Sequence, residues 1–267
     1  MVNAVRNWLY RLAAGLVIVS APSSAGLLAA DLRSEMQAVA RSIHKFLAAE
    51  GEDDVAIGQF VSLPNEPASG GRGISQALME ELTVLKITVR RVARYGVGGE
   101  FKVERGTDNR PQLRVDVRVT DKAGKKHLEF AQYVSEMQDV AMIVGITVEL
   151  DPDQPSRRRE EQFTAAIERP AASIRQHTLR STPNSPYGIE IWVKGQQDYE
   201  PRPISIEDGL AFVKLEQNDL YAIRILNDSP LDAAVTISID GLNIFTFSEH
   251  KGYRHLILTK ERKRSLI

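Results

Sequence analysis

The chain reads as an α+β protein: an amino-terminal α/β-layered domain with a mixed sheet, followed by a carboxy-terminal all-β, sandwich-like domain. Apolar residues recur at helical spacing on either side of a short apolar run before residue 86, then alternate at period two up to residue 134. From Tyr187 onward only short strand-like runs occur. The length of 267 residues exceeds what one core ordinarily serves, and a composition of 43% apolar and 26% charged residues is that of a globular protein.

At the amino terminus, MVNAVRNWLYRLAAGLVIVSAPSSAG places Arg6 and Arg11 ahead of an apolar run from Leu12 to Val19, with Ser23, Ser24 and Ala25 behind it. That is the order of a secretory signal peptide over residues 1–25, with cleavage expected after Ala25 or Ala30, against an uncleaved anchor or a buried helix. The run is too short to cross about 30 Å of hydrocarbon. The chain has no cysteine, which excludes disulfides and a lipidated amino-terminal cysteine. A periplasmic or secreted protein is expected, with no lipid anchor and no transmembrane segment once the signal is removed.

Residues 31–50 put Met36, Val39, Ala40, Ile43, Phe46 and Leu47 on one helical stripe, which Gly51 can end. Val55 to Val61 is nearly continuous in apolar residues, as in a strand covered on both faces. A loop rich in proline and glycine runs from Ser62 to Gly73, after which Ile74, Ala77, Leu78, Glu81, Leu82 and Leu85 resume helical spacing. Strand, glycine loop and helix is also the layout of a nucleotide site. Here Gly70, Gly71, Arg72 and Gly73 run straight into Ile74, without the lysine that reaches phosphates or the hydroxyl that holds magnesium. What survives is a candidate anion site at Gly71, Arg72 and Gly73, where helix N–H groups converge, against the plainer reading of a flexible loop.

Tyr95 to Val103 is a further strand. Leu113, Val115, Val117 and Val119 then alternate with Arg114, Asp116, Arg118 and Thr120, and Leu128, Phe130 and Val134 return after a turn containing Gly124. Ser135 and Gln138 stand in capping-box register at the start of a third helix, which Gly145 interrupts. These elements make up a first domain over residues 31–150. Residues 151–186 are loop-like and are expected to link it to a β-domain over residues 187–260. A short helix at Glu160–Ile167 is expected within that link, and the alternative is a long excursion packed on one of the domains.

In the second half GIEIWVKG, GLAFVKLE, DLYAIRILN, AAVTISID, NIFTFSE and YRHLILT read as strands, divided by turns such as Glu207-Asp208-Gly209 and Asp240-Gly241. Such a sandwich is thin. An edge is left open or is completed by a partner strand. Charge is uneven along the chain: basic residues exceed acidic ones by about seven from Lys86 to Lys126, and acidic exceed basic by about six from Glu190 to Asp240. Arg90, Arg91, Arg94, Arg114 and Arg118 form a candidate contact surface, against the plainer reading of ordinary solvated faces. A complementary acidic domain is a nearer partner than nucleic acid, and an anionic lipid or glycan is a further option.

The order VAIGQF, GISQALMEEL, a glycine-bearing strand and LRVDVRVTDKAGK resembles the α/β domain of bacterial envelope proteins related to the curli secretion protein, the amino-terminal domain of TolB and the flagellar protein FlgO. The resemblance covers about residues 35–148. It implies an interaction or assembly module with no catalytic residues to carry over. SPYGIEIWVK and YAIRILNDSPLDAAVTISIDGL resemble β-domains of uncharacterised secreted bacterial proteins, which implies an extracytoplasmic sandwich.

Catalytic signals are weak. Histidines 44, 127, 177, 250 and 255 form no HxxxH or HExxH pair, and His250 with His255 reads as an exposed hairpin near Glu249. No GxSxG elbow is present. Asp208-Gly209 and Asp240-Gly241 read as hairpin turns before they read as calcium ligands. Trp192 and Tyr199 would offer a glycan-binding surface if Trp192 faces away from the core. No catalytic, metal-binding or cofactor-binding residue is expected. The chain is expected to be an exported, non-enzymatic envelope interaction or assembly protein, contacting another envelope protein or a second copy. A periplasmic binder of an anion or carbohydrate is the alternative, and a divergent hydrolase with dispersed residues a further one.

Overall fold

The computed structural model describes residues 10–12, 14–18, 31–63, 70–150, 154–207, 209–246, 248–249, 253, 255–260 and 264–266, with backbone alone for residues 10–18 and 264–266. Two short strands come first, β1 (Tyr10–Leu12) and β2 (Ala14–Ile18). They lie within the segment read as the signal, and their partners come from far along the chain.

Helix α1 (Leu32–Glu50) begins where expected, because the Asp31 carboxylate accepts the Ser34 N–H at 2.6 Å. It ends at Gly51, whose φ of 71° suits a residue without a side chain. Next come β3 (Asp54–Ser62), α2 (Gly71–Val84) and β4 (Thr88–Arg90), in which β3 and β4 pair in parallel. Then β5 (Tyr95–Arg105), β6 (Pro111–Asp121) and β7 (Lys126–Val134) follow as an antiparallel meander. The five-stranded sheet runs β4-β3-β5-β6-β7 and is mixed, since β3 is parallel to both neighbours.

Along β6 the alternation is as the sequence predicts: Leu113, Val115, Val117 and Val119 are fully buried while Arg114, Asp116 and Arg118 lie on the other face. Helix α3 (Met137–Val144) closes the layer. The sequence predicts a helix capped from Ser135, and its N-cap is Glu136, one residue later. Buried faces of α1, α2 and α3 pack with the inner face of the sheet into a first core, which includes Met36, Ile43, Leu78, Leu82, Phe101 and Ile143. After it comes the two-residue strand β8 (Val148–Glu149).

The segment expected as a linker is structured in two parts. Helix α4 (Ser156–Glu168) buries Phe163 and Ile167 in the first core, so it belongs to the amino-terminal half. Strands β9 (Ser173–Arg175) and β10 (Thr178–Arg180) pair with each other, and β10 pairs with β11 (Tyr187–Lys194), extending the carboxy-terminal sheet.

The remaining strands are β12 (Tyr199–Pro201), β13 (Ile204–Glu207), β14 (Leu210–Leu215), β15 (Tyr221–Asn227), β16 (Ala233–Ile239), β17 (Leu242–Asn243), β18 (Leu256–Leu258) and β19 (Arg264–Leu266). One sheet runs β19-β15-β11-β10-β9, with β12 also on β11, and another β1-β14-β13. Their inner faces, with β16 and β18, enclose a second core of Ile189, Ile191, Val193, Val213, Ile223, Ile225, Val235 and Ile237. The stretch NIFTFSE, expected as a strand, is one only as far as Asn243. The Asn243 side chain accepts the Phe245 N–H at 2.9 Å, and Thr246 N–H turns back to the Asn243 carbonyl at 2.8 Å, which curls the chain out of the ladder.

A third sheet joins the halves in the order β17-β16-β2-β8. Strand β2 runs antiparallel to β16, with Ala14 to Ile18 opposite Ile239 to Val235, and parallel to β8, with Val17 and Ile18 opposite Val148 and Glu149. Strand β1 pairs along the edge of β14. Two strands of the β-domain, β14 and β16, are therefore flanked by strands from the amino-terminal segment.

Candidate functional site

The junction of the two halves is built around the first turn of α2. The glycines expected in a flexible loop lie at that helix start, Gly70 as N-cap and Gly71 and Gly73 within the turn. Each is small because something lies against it: a Cβ would overlap the Ile143 carbonyl oxygen at Gly70, the Phe60 carbonyl oxygen at Gly71 and the Gly241 carbonyl oxygen at Gly73. The hairpin between β16 and β17 turns at Asp240 and Gly241, both at positive φ (53° and 75°), as an Asp-Gly hairpin requires.

That turn answers the helix terminus. Gly73 N–H donates to the Asp240 carbonyl at 3.0 Å, and the Asp240 carboxylate lies 3.5 Å from the Arg72 guanidinium. An acidic group beside a helix amino terminus is the favoured arrangement, and here the chain supplies it. Arg72 keeps 76% of its side chain exposed. Tyr221 stands close by, and burial, followed by the charge of Asp240, holds its hydroxyl above the ordinary phenol range, with Arg72 opposing. The expected anion residues thus surround a charge pair made within the chain.

Beside this pair a groove of about 640 Å³ opens between β3 and α2. Ile57, Phe60, Met79, Val89 and Leu242 form its apolar lining, while Gln59, Arg72, Ser75 and Gln76 supply polar groups. A bulge between Ile57 and Phe60 shapes it, and the freed Gly58 carbonyl accepts the Ser75 hydroxyl at 3.2 Å.

The arginines of the expected contact surface are mostly paired within the chain. Arg90 meets Asp54 at 2.8 Å, Arg94 meets Glu52 at 3.0 Å, and Arg114 meets Asp116 at 2.9 Å. Arg118 bridges Glu129 at 2.9 Å and Glu100 at 3.2 Å, and Arg91 is exposed. Within the same basic stretch Arg105 meets Glu168 at 2.8 Å and Arg110 meets Glu160 at 3.1 Å. The basic excess is therefore balanced by α4 and neighbouring strands, and not by the acidic run from Glu190 to Asp240.

His44 and His177 are exposed. His127 packs its ring against Phe46 and Tyr95, with Nε2 3.0 Å from Asp121. His255 Nδ1 lies 2.6 Å from the Thr236 hydroxyl. His250 and Asp208 lie outside the described residues. Among the described residues no three His, Asp or Glu side chains gather as metal ligands. Trp192 lies on the face opposite Ile189, Ile191 and Val193, as a glycan surface requires. Its register partner is Pro201 and that of Lys194 is Tyr199, so Trp192 and Tyr199 share a face. Both rings already meet cations, with Arg224 at 5.1 Å from the Trp192 centroid and Lys194 at 5.3 Å from that of Tyr199.

Two features of the junction escape sequence reasoning. Asp240 is visible as a turn residue, but nothing local says that the turn reaches a helix about 170 residues earlier. Glu149, at the end of β8, accepts hydroxyl bonds from Ser181 at 2.9 Å and Ser185 at 2.6 Å, tying the first core to the chain that opens the second. Only the carboxylate and two hydroxyls in a loop-like stretch could have signalled it.

No family model and no curated protein matches the chain. Among solved structures, a PelC dodecamer from Paraburkholderia phytofirmans is 19% identical over an alignment covering 35% of this chain and 83% of that one, with a TM-score of 0.25. A likeness of that extent carries no argument about this chain. No helix among the described residues is long and apolar enough to cross a membrane.

Proposed function

We propose that the chain is an exported, non-enzymatic interaction or assembly protein of the bacterial envelope, working through protein–protein contact by strand addition. The observation that carries this is the completion of the β-domain by added strands: β14 takes β1 on its edge and β16 takes β2. A domain whose edges accept a strand from outside its own meander is suited to joining another chain the same way. Strand β7, nine residues long, adds a further edge, since among the described strands it pairs with β6 alone. Crosslinking in the native envelope, with mass spectrometry of captured partners, tests the proposal. A defined partner is expected, and recovery of an uncrosslinked monomer alone would overturn it.

The groove beside Arg72 favours a second reading, a periplasmic binder of an anion or carbohydrate, because polar groups from β3 and α2 converge on an apolar floor there. Ligands that bind only the folded chain raise its stability by RT ln(1 + [L]/Kd). Thermal shift with a panel of anions and sugars checks it, and no shift with any of them counts against this reading.

A further inference from the structure

We propose that the place held by β2 is a strand-acceptor site, which after signal removal takes an uncharged, apolar strand of another envelope polypeptide. The inference rests on the export proposed above and specifies how the contact is made.

Strand β16 is interior on both faces: Val235 and Ile237 face the second core, while Thr236 and Ser238 are each 1% exposed. One edge of β16 carries β17 and β18. The other edge is occupied by β2 over every residue from Val235 to Ile239, and β8 lies beyond it. Removal of residues 1–25 takes β2 away and leaves the facing edges of β16 and β8 without their shared neighbour. An interior strand with unpaired backbone N–H and C=O groups is strongly disposed to accept another strand.

The site sets the chemistry of its occupant. Ala233 to Ile239 carries no charge, and the Glu149 carboxylate of β8 is engaged by Ser181 and Ser185. The segment occupying the site, Ala14-Gly15-Leu16-Val17-Ile18, is likewise uncharged. A charged strand would lose hydration there without gaining a partner. A processed second copy is a poor donor, because among the described residues its apolar strands are already paired in its own sheets. The occupant is therefore an extended apolar segment of a different protein, entering antiparallel to β16.

The test uses the processed protein isolated from the periplasm and a labelled peptide of residues 12–20, LAAGLVIVS. Saturable binding is expected by fluorescence anisotropy, with at least a tenfold loss on Val17→Pro, since proline removes a ladder donor. Register is read by disulfide capture, which the absence of native cysteine makes specific. Protein Ser238→Cys should couple to peptide Gly15→Cys, its register partner. It should couple about tenfold more slowly to peptide Leu16→Cys, which presents the opposite face. Thr236→Cys with Val17→Cys repeats the test two residues along.

No peptide binding by the folded, processed protein would overturn the inference, as would coupling without register preference. Recovery of the native protein with residues 10–18 still attached would do so too. A partner captured in the envelope while the peptide fails to bind removes the acceptor site but leaves the interaction role. Peptide binding without a captured partner supports the site and removes the role.

Discussion

Gly73 shows how a single missing side chain carries a tertiary contact. A Cβ there would overlap the Gly241 carbonyl, whereas at Gly96 the nearest atom is the Ala56 carbonyl oxygen at 4.0 Å. Gly73→Ala is expected to destabilise the protein by roughly 1–3 kcal/mol in urea unfolding, with Gly96→Ala within about 0.5 kcal/mol of the parent. Glycine before a helix is readable from sequence, but whether it marks a mobile loop or a close approach depends on an element about 170 residues later.

Titration belongs to the same scale. Burial, and then the neighbouring charge of Asp139, raises the Glu136 carboxyl above the ordinary carboxylate range, and burial followed by Asp31 does the same for Glu35. A raised folded-state pKa favours the protonated form on folding. Its contribution is fully present below the unfolded value and is lost as pH rises through the folded one. The charged form of Glu136 therefore costs stability at pH 7. Glu136→Gln is expected to raise Tm at pH 7 by about 1–3 °C, a gain that disappears below about pH 4. Thermal melts of both proteins from pH 3 to 8 check this.

At the scale of elements, α4 separates an integral helix from a linker. Phe163 is 6% exposed and lies in the first core. Phe163→Ala is expected to cost about 3–4 kcal/mol by chemical denaturation, while truncating a residue of a mere linker would cost almost nothing. Helix α1 was legible from its stripe and from Gly51, both of them local, while its Asp31 cap was seen only in the fold. The meander of β5, β6 and β7 was legible because one wet face enforces alternation. Helix α4 was less so: its apolar residues Phe163 and Ile167 sit among RRREE and TAA, so the stripe is thin and the loop-like flanks dominate. The bend at Asn243 depended on a side-chain bond that β propensity does not register.

For the whole molecule, charge pairing limits electrostatic association. Arg90, Arg94, Arg114 and Arg118 each have a carboxylate within the chain. Exposed pairs of this kind contribute about 0–1 kcal/mol each and leave little uncompensated field. Partner capture in the envelope is therefore expected to change less than about twofold on adding 0.5 M NaCl, and to survive Arg114→Ala and Arg118→Ala. A steep loss with salt, read by quantitative mass spectrometry of the captured partner, would return the arginines to the contact. The sequence showed the uneven charge but not the folding that brings Glu160, Glu168 and Asp54 to the basic stretch.

The pairing of β2 with β16 also sets an order in time. Ala14 to Ile18 are made before their partners Val235 to Ile239, which lie roughly 220 residues later. At about 5–20 residues per second, synthesis leaves that segment without its ladder for roughly 10–45 s. A factor that binds extended apolar segments would find it open during that interval, before the sheet that competes for it has been made.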